Sequence, residues 1–254
     1  MAEEISPVLM VDNELENISD LEDLIKTAAL KAFPDYGRNF VDYAESAEEA
    51  TAMMREMMKS GGSYSSIICD NHMDGILGED FIRLIRGNLG YCFSRDRRYL
   101  NLNLANFKSL EQVRKCTDGK PKREISEFLD EQFGGSLGSY RDFTSYFQDE
   151  RKTPLIILFC GNPNEADLTG LEDIYTISKP FSHPDSNDKF CEKRVMHVLE
   201  EEGIFEHDLI ESAMKEHQRF SPETPLKKQA YNSSASRIKK KKKIFIEIKK
   251  HKRR

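Results

Sequence analysis

The chain has 254 residues, of which 38% are hydrophobic and 32% charged, with a formal net charge of −6. No apolar run approaches the ~20 residues that cross a bilayer, and the acidic start Met1-Ala2-Glu3-Glu4-Ile5 lacks the basic-then-apolar pattern of a secretory leader, so a cytoplasmic protein is expected. Five scattered cysteines (Cys69, Cys92, Cys116, Cys160, Cys191), odd in number and without a C-x-x-C pair, argue against a disulfide framework and a thiolate zinc site.

Ser6-Pro7 leads into Val8-Leu9-Met10-Val11, an apolar run that stops at Asp12-Asn13-Glu14, as a buried parallel strand does where it opens into a polar loop. From Asp20 to Phe33, Leu21, Leu24, Ile25, Ala28 and Leu30 recur at helical spacing. Phe40 to Ala44 reads as a second strand. Ser46, with Glu49 three residues on, has the form of a capping box opening a helix that runs to about Lys59. Gly61-Gly62 ends that helix. Ile67-Ile68-Cys69 predicts a third buried strand ending on Asp70, and Glu79 to Arg86 a helix with Phe81, Ile82 and Ile85 on one side.

Between Gly87 and Lys152 lie 66 residues where a compact α/β unit needs only a short connection. Leu100–Leu110 and Ile125–Phe133 are helix-like, with breakers at Gly119-Lys120-Pro121 and Gly134-Gly135. Ten Tyr or Phe residues between Tyr91 and Phe147 make the segment aromatic enough to pack, as an inserted helical subdomain or as a long, partly ordered lid. Pro154 to Phe159 is the plainest strand of all. Ile174 to Ile177 predicts a fifth, followed by Ser178-Lys179-Pro180-Phe181 and a helix from about Lys189 to Glu202.

After Gly203 come a predicted amphipathic helix, His207–Phe220, and a Ser/Pro/Thr-rich linker. The closing residues 237–254 hold eleven Lys or Arg against the single Glu247, a net of +10, so the other 236 residues carry −16 of the total −6. An acidic body with a basic tail is the main compositional feature. The tail suits a nucleic acid or another anionic surface, since its lysines neutralise phosphates without reading sequence. It equally suits a solvated terminus, or one that folds back on the acidic body.

Strands alternating with helices imply a doubly wound parallel sheet, with ligands bound beyond the carboxyl ends of the strands. Asp12, Asp70, Cys160 and Lys179 all fall at such ends. The D-x-D of haloacid-dehalogenase-type phosphatases is absent from Asp12-Asn13-Glu14, and so are the glycine-rich phosphate loops of nucleotide enzymes. His183, His197, His207 and His217 lack metal-ligand spacing.

In this order the motifs resemble the receiver domain of two-component response regulators. Val8 to Glu14 is similar to that family's first strand and acidic pair, and Ile67 to Asp70 to its third strand and phosphoacceptor. Met73 and Gly78, three and eight residues beyond Asp70, fit its D-x-x-M-x-x-x-x-G pattern, and the match runs ungapped through Arg86. Lys179-Pro180-Phe181 resembles its closing K-P-F. The resemblance implies a five-stranded, flavodoxin-like α/β fold divided as residues 1–86 and 153–202. Residues 87–152 would be a mainly helical insertion, and residues 203–254 a helix, linker and polybasic tail.

The resemblance also implies a site. Asp70 would accept a phosphoryl group, and Mg²⁺, a hard cation that takes oxygen ligands, would be held by Asp12, Asn13, Asp70 and the backbone carbonyl of His72. Lys179 would place a compact positive charge on the phosphoryl oxygens, and Cys160 would stand where the family carries Ser or Thr. A signalling switch of this kind is not an enzyme, beyond slow loss of its own phosphoryl group. Its partners would be a histidine kinase or phosphotransfer protein and an output protein.

Several positions depart from the family pattern. Asp12 is followed by Asn13 where two acids are usual, so either Asn13 replaces the second acid or Val11 replaces the first. A count from Pro154 puts Phe159, rather than Cys160, at the Ser/Thr position. The family's switch aromatic falls on Thr176, with Tyr175 beside it, and Asp74 replaces the usual proline. These departures favour an alternative, a pseudo-receiver that binds partners without being phosphorylated.

Overall fold

The computed structural model describes residues 6–14, 19–35, 39–73, 76–87, 130–160, 166, 168, 171, 173–178 and 190–220. Its strands are β1 (Val8–Val11), β2 (Val41–Ala44), β3 (Ser66–Asp70), β4 (Leu155–Cys160) and β5 (Tyr175–Ser178). The helices are α1 (Ser19–Ala32), α2 (Ala47–Ser60), α3 (Gly78–Ile85), α4 (Leu137–Gln148), α5 (Phe190–Glu201) and α6 (His207–Phe220). All strand pairs are parallel, in the order β2-β1-β3-β4-β5. That is the flavodoxin-like order, with its topological switch point between β1 and β3.

The chain divides into two units. Met1–Ala213 holds the whole sheet; of Met214–Arg254 the described part is helical residues 214–220. Among the described residues no helix is long and apolar enough to cross a membrane.

Strand side chains alternate between faces, and the core divides accordingly. Leu9, Val11, Ile67, Cys69, Ile156, Leu158 and Cys160 join one cluster with Met54 of α2, Phe81 and Ile82 of α3, and Tyr140, Phe143 and Phe147 of α4. Val8, Met10, Ile68, Ile157, Phe159 and Ile177 are buried outside that cluster, as are Leu24, Ile25 and Ala28 of α1 and Val195, Met196 and Leu199 of α5. Helices α1 and α5 touch one another, as α4 touches both α2 and α3. The sheet is thus covered on both faces, which accounts for its near-continuous apolar strands.

Local signals set the helix ends. Ser46 Oγ accepts from Glu49 N at 3.2 Å at the start of α2. Glu49 Oε2 accepts from Glu45 N at 2.8 Å, one residue earlier than a standard capping box. Gly61, at φ 83°, closes the helix in the left-handed region that glycine enters without penalty.

Three expectations shift. The fourth and fifth strands each lie one residue later than read from sequence. Leu30, on the expected apolar stripe of α1, is 39% exposed, and Ala29 is buried instead. Helix α4 lies in the segment expected to be mainly helical but beyond the two pieces read there, because Gly134-Gly135 reads as a break. Both glycines do sit at positive φ, but Ser136 Oγ then caps a new helix by accepting from Ser139 N at 3.2 Å. Leu137, Tyr140, Phe143, Thr144 and Phe147 form its buried stripe. The pieces read at Leu100–Leu110 and at 125–129 lie outside the described residues.

Helix α4 is bound to the ends of its neighbours by polar contacts as well as packing. Tyr140 OH donates to Leu84 O at 2.6 Å and Gln148 Nε2 to Arg86 O at 2.8 Å, both at the end of α3. Tyr146 OH donates to Gly62 O at 2.7 Å, and Lys152 Nζ, in the turn after α4, to Gly61 O, both beyond α2. These donors reach carbonyls at, or just past, helix ends, where backbone groups lack a full set of intrahelical partners.

Candidate functional site

The two central strands, β1 and β3, each end in a carboxylate. Val11 pairs with Cys69, so one step further Asp12 lies beside Asp70, and the period-two alternation puts both side chains on the same face. Both are buried. This favours the first of the two sequence registers: Asp12 is the first acid, and the exposed Asn13 stands at the second acid position.

Asp12 is fixed by its own turn. Its Oδ1 accepts from Glu14 N at 2.8 Å, its N donates to Ala44 O at 3.1 Å, and its carbonyl accepts from the Tyr43 hydroxyl. Burial, then the charges of Asp12, Glu45, Glu49 and Glu22, push the Tyr43 phenol up to about 12. It therefore stays a neutral donor throughout the ordinary pH range.

Asp70 is set by contacts on either side of it. It pairs with Phe159 of β4, and the next residue, Asn71, donates from its N to Phe159 O at 2.8 Å. Gly78 N donates to Asn71 O at 3.1 Å, and Glu79 N to Asn71 Oδ1 at 3.0 Å. Asn71 Nδ2 faces Glu79 Oε2 at 3.4 Å. A Cβ on Gly78 would lie 2.2 Å from Asp70 O, so the start of α3 rests directly on the Asp70 backbone. The Asp-to-Gly spacing read from sequence is this packing contact. Asn71 and Glu79 form a side-chain clasp that sequence reasoning missed. An eight-residue separation across a loop carries no periodic signal.

Every residue of α3 is buried, including Glu79, Asp80 and Arg83, and Arg83 Nη1 donates to Asp80 Oδ1 at 3.1 Å.

The structure corrects the expectation for Cys160. The ladder places Phe159 opposite Asp70, while Cys160 pairs with Ser178 and belongs to the core on the α2 and α3 face. The position opposite the acid thus carries a buried phenyl ring and neither hydroxyl nor thiol. Thr176 pairs with Leu158, whereas the Tyr175 hydroxyl donates to Glu202, so neither residue stands at the carboxyl end of β5. His72 is exposed beside Asn71. Lys179, Pro180, Phe181 and residues 237–254 lie outside the described residues.

Among the described residues no group of three or more His, Cys, Asp and Glu could hold a metal ion. A paired carboxylate is enough for one kind of cation. Mg²⁺ keeps several waters and is commonly bound through one or two carboxylates plus phosphate oxygens. The donor set of Asp12 and Asp70, with the Asn13 amide and a loop carbonyl, fits that description.

No family model matches the chain, and no curated protein matches it. Among solved structures, the chain is similar to the crystal structure of the signal receiver domain of an HD domain-containing protein from Pseudomonas fluorescens Pf-5. Identity is 14%, the match covers 86% of this chain and 97% of that one, and the TM-score is 0.33. The fold rests on the strand order itself.

Proposed function

We propose that this protein is a receiver-type signalling switch in which Asp70 accepts a phosphoryl group from a histidine kinase or phosphotransfer protein. One observation carries the reading: two buried carboxylates, Asp12 and Asp70, lie side by side at the carboxyl ends of the central strands. Ligands of doubly wound sheets bind at such a switch point. In the transfer, an Asp70 carboxylate oxygen forms the new P–O bond as the P–N bond of the donor phosphohistidine breaks. The bonding electron pair leaves with the ring nitrogen.

Bringing a phosphoryl group to paired acids crowds negative charge, and charge neutralisation with positioning is most of what this chemistry asks of a protein. Asp12, Asn13, Asp70 and the His72 carbonyl would hold Mg²⁺, which neutralises that charge when bound. Lys179 directly follows β5 in the chain and would add a second positive charge. Gly78 lets α3 approach the Asp70 backbone and so fixes the acceptor. Output would pass through protein contacts.

The test is intact mass after incubation with a small phosphodonor and Mg²⁺, beside Asp70→Ala. A gain of one phosphoryl group in the wild type alone is expected. The buried Phe159 opposite Asp70, with Asn13 at the second acid position, favours a second reading: a pseudo-receiver that binds partners unphosphorylated. No mass gain, together with no Mg²⁺ binding, would select it. Salt-sensitive binding to nucleic acid, lost on deleting residues 237–254, would give the tail its own part.

A further inference from the structure

We propose that the state of Asp70 is read through α3 and α4, with Asn71 as the positioning residue that couples them. The proposal deepens the reading of Asp70 as a phosphoacceptor and rests on it. A switch needs a neighbour that responds differently to the two states of the site. On the β4 side the residue opposite Asp70 is Phe159, a buried ring with no hydrogen to donate. Cys160, next along, faces the opposite layer. On β5, Thr176 belongs to that same opposite layer and Tyr175 is committed to Glu202.

On the α3 side the contacts are polar, buried and consecutive. Asn71 follows Asp70 directly, accepts from Gly78 N and Glu79 N, and faces the Glu79 carboxylate. Gly78 rests against the Asp70 carbonyl without room for a methyl group. Displacement of the Asp70 backbone therefore displaces the start of α3. That helix is buried at every residue and so moves as a body. Its far end is held by the buried Tyr140 hydroxyl on Leu84 O and, at the surface, by Gln148 on Arg86 O, so a shift of α3 is passed to α4. Buried polar links have two distinct arrangements, made and broken, which is what carries coupling between sites.

The experiment is hydrogen exchange on the full chain, wild type and Asp70→Asn, before and after a small phosphodonor with Mg²⁺, with intact mass read on the same samples. Exchange changes of about fivefold or more, corresponding to about 1 kcal/mol, are expected in peptides covering 78–87 and 137–148. A mass gain with changes confined to 155–160 and 174–178 would overturn the proposal while leaving Asp70 a phosphoacceptor. Without a mass gain the phosphoacceptor reading fails, and Asp70→Asn against wild type decides the coupling. A difference in α3 and α4 upholds it and no difference sinks it. Asn71→Ala should erase the difference between wild type and Asp70→Asn in both helices, whereas a merely structural Asn71 would leave it intact. Should Asn71→Ala fail to fold, the double variant Tyr140→Phe/Gln148→Ala, which removes both links between the helices, serves: the response must persist in α3 and vanish from α4. Persistence in both refutes the route.

Discussion

Replacing Gly78 by alanine tests the packing at the heart of the site, because two effects of the same methyl group pull in opposite directions. Gly78 is not among the glycines with positive φ, so the torsion angles admit any residue and only space is at issue. The added Cβ would lie 2.2 Å from Asp70 O and 2.9 Å from both Asp70 C and Asn71 Cα. These are backbone atoms, which cannot rotate away as a flexible side chain would. The loop and helix must separate, at the ~1–3 kcal/mol typical of overpacking. Separation also stretches the bonds from Gly78 N and Glu79 N to Asn71, each worth ~1 kcal/mol. Helix propensity returns at most ~1 kcal/mol. The net is a loss of about 3 kcal/mol, or roughly 6–12 °C in Tm for a unit of this size. Gly138, in the first turn of α4, is the control: a Cβ there meets only Ser136 Oγ, at 3.6 Å. Gly138→Ala should therefore raise Tm by a few degrees or leave it unchanged, by the same propensity argument. Thermal unfolding of both variants, followed by circular dichroism, decides the matter. A Gly78→Ala Tm equal to or above wild type would refute the contact, and with it the explanation of the Asp-to-Gly spacing.

Further expectations follow from other contacts. Tyr140→Phe removes the buried hydroxyl that serves Leu84 O and should cost ~1–2 kcal/mol, read as a lower urea midpoint with unchanged slope. Phe159→Thr supplies the hydroxyl missing opposite Asp70 but removes a ring that is 2% exposed, and should cost about 3 kcal/mol or more. An unchanged urea midpoint would show that the ring is not packed as described. At alkaline pH the tyrosines decide stability. Tyr43 is raised from 10.0 to about 12, and Tyr64 is raised by burial and by Asp42, which accepts from its hydroxyl at 3.0 Å. For both, the folded-state pKa exceeds the unfolded one, so the contribution is complete below pH 10 and disappears as pH rises through the folded value. Urea midpoints should fall between pH 10 and 12, and less steeply in Tyr43→Phe; an equal slope in that variant would remove Tyr43 from the explanation.

The strands and paired acids were legible because a buried parallel strand is written as an apolar run with an abrupt polar stop, and Val8–Asp12 and Ile67–Asp70 have that form. What the sequence left open is what depends on a partner strand. Whether Phe159 or Cys160 faces Asp70 is a question of register, and a shift of one residue sends a side chain to the other face. The ladder from Ser66 and Leu155 to Asp70 and Phe159 answers it. The same ladder logic puts Val11 opposite Cys69 and Asp12 beside Asp70, so Asp12 rather than Val11 takes the first acid position. Helix α4 carried a clear stripe at Leu137, Tyr140, Phe143 and Phe147, but the preceding Gly-Gly drew attention to a stop and away from the Ser136 cap that restarts the chain. The clasp of Asn71 with Glu79 was invisible for a different reason. An amide side chain pairs with many groups, and only the folded loop selects one.

The arrangement around Asp70 also bounds how strong any switching can be. A ligand or modification shifts a two-state equilibrium only by its differential interaction with the two states. If the difference passes through the Asn71 clasp, it is limited to two or three hydrogen bonds, one of them facing a charge, or about 1–3 kcal/mol. That corresponds to a shift of roughly 5- to 150-fold in the population of the two forms. Such a range converts a minor form near 1% into anything from a few per cent to a majority. Full switching from one pure state to the other requires about 5.5 kcal/mol, more than this clasp supplies. A phosphorylated form of this chain should therefore remain a mixture. Its exchange profile should show partial protection in α3 and α4, with the remainder of the shift left for a bound output partner to complete.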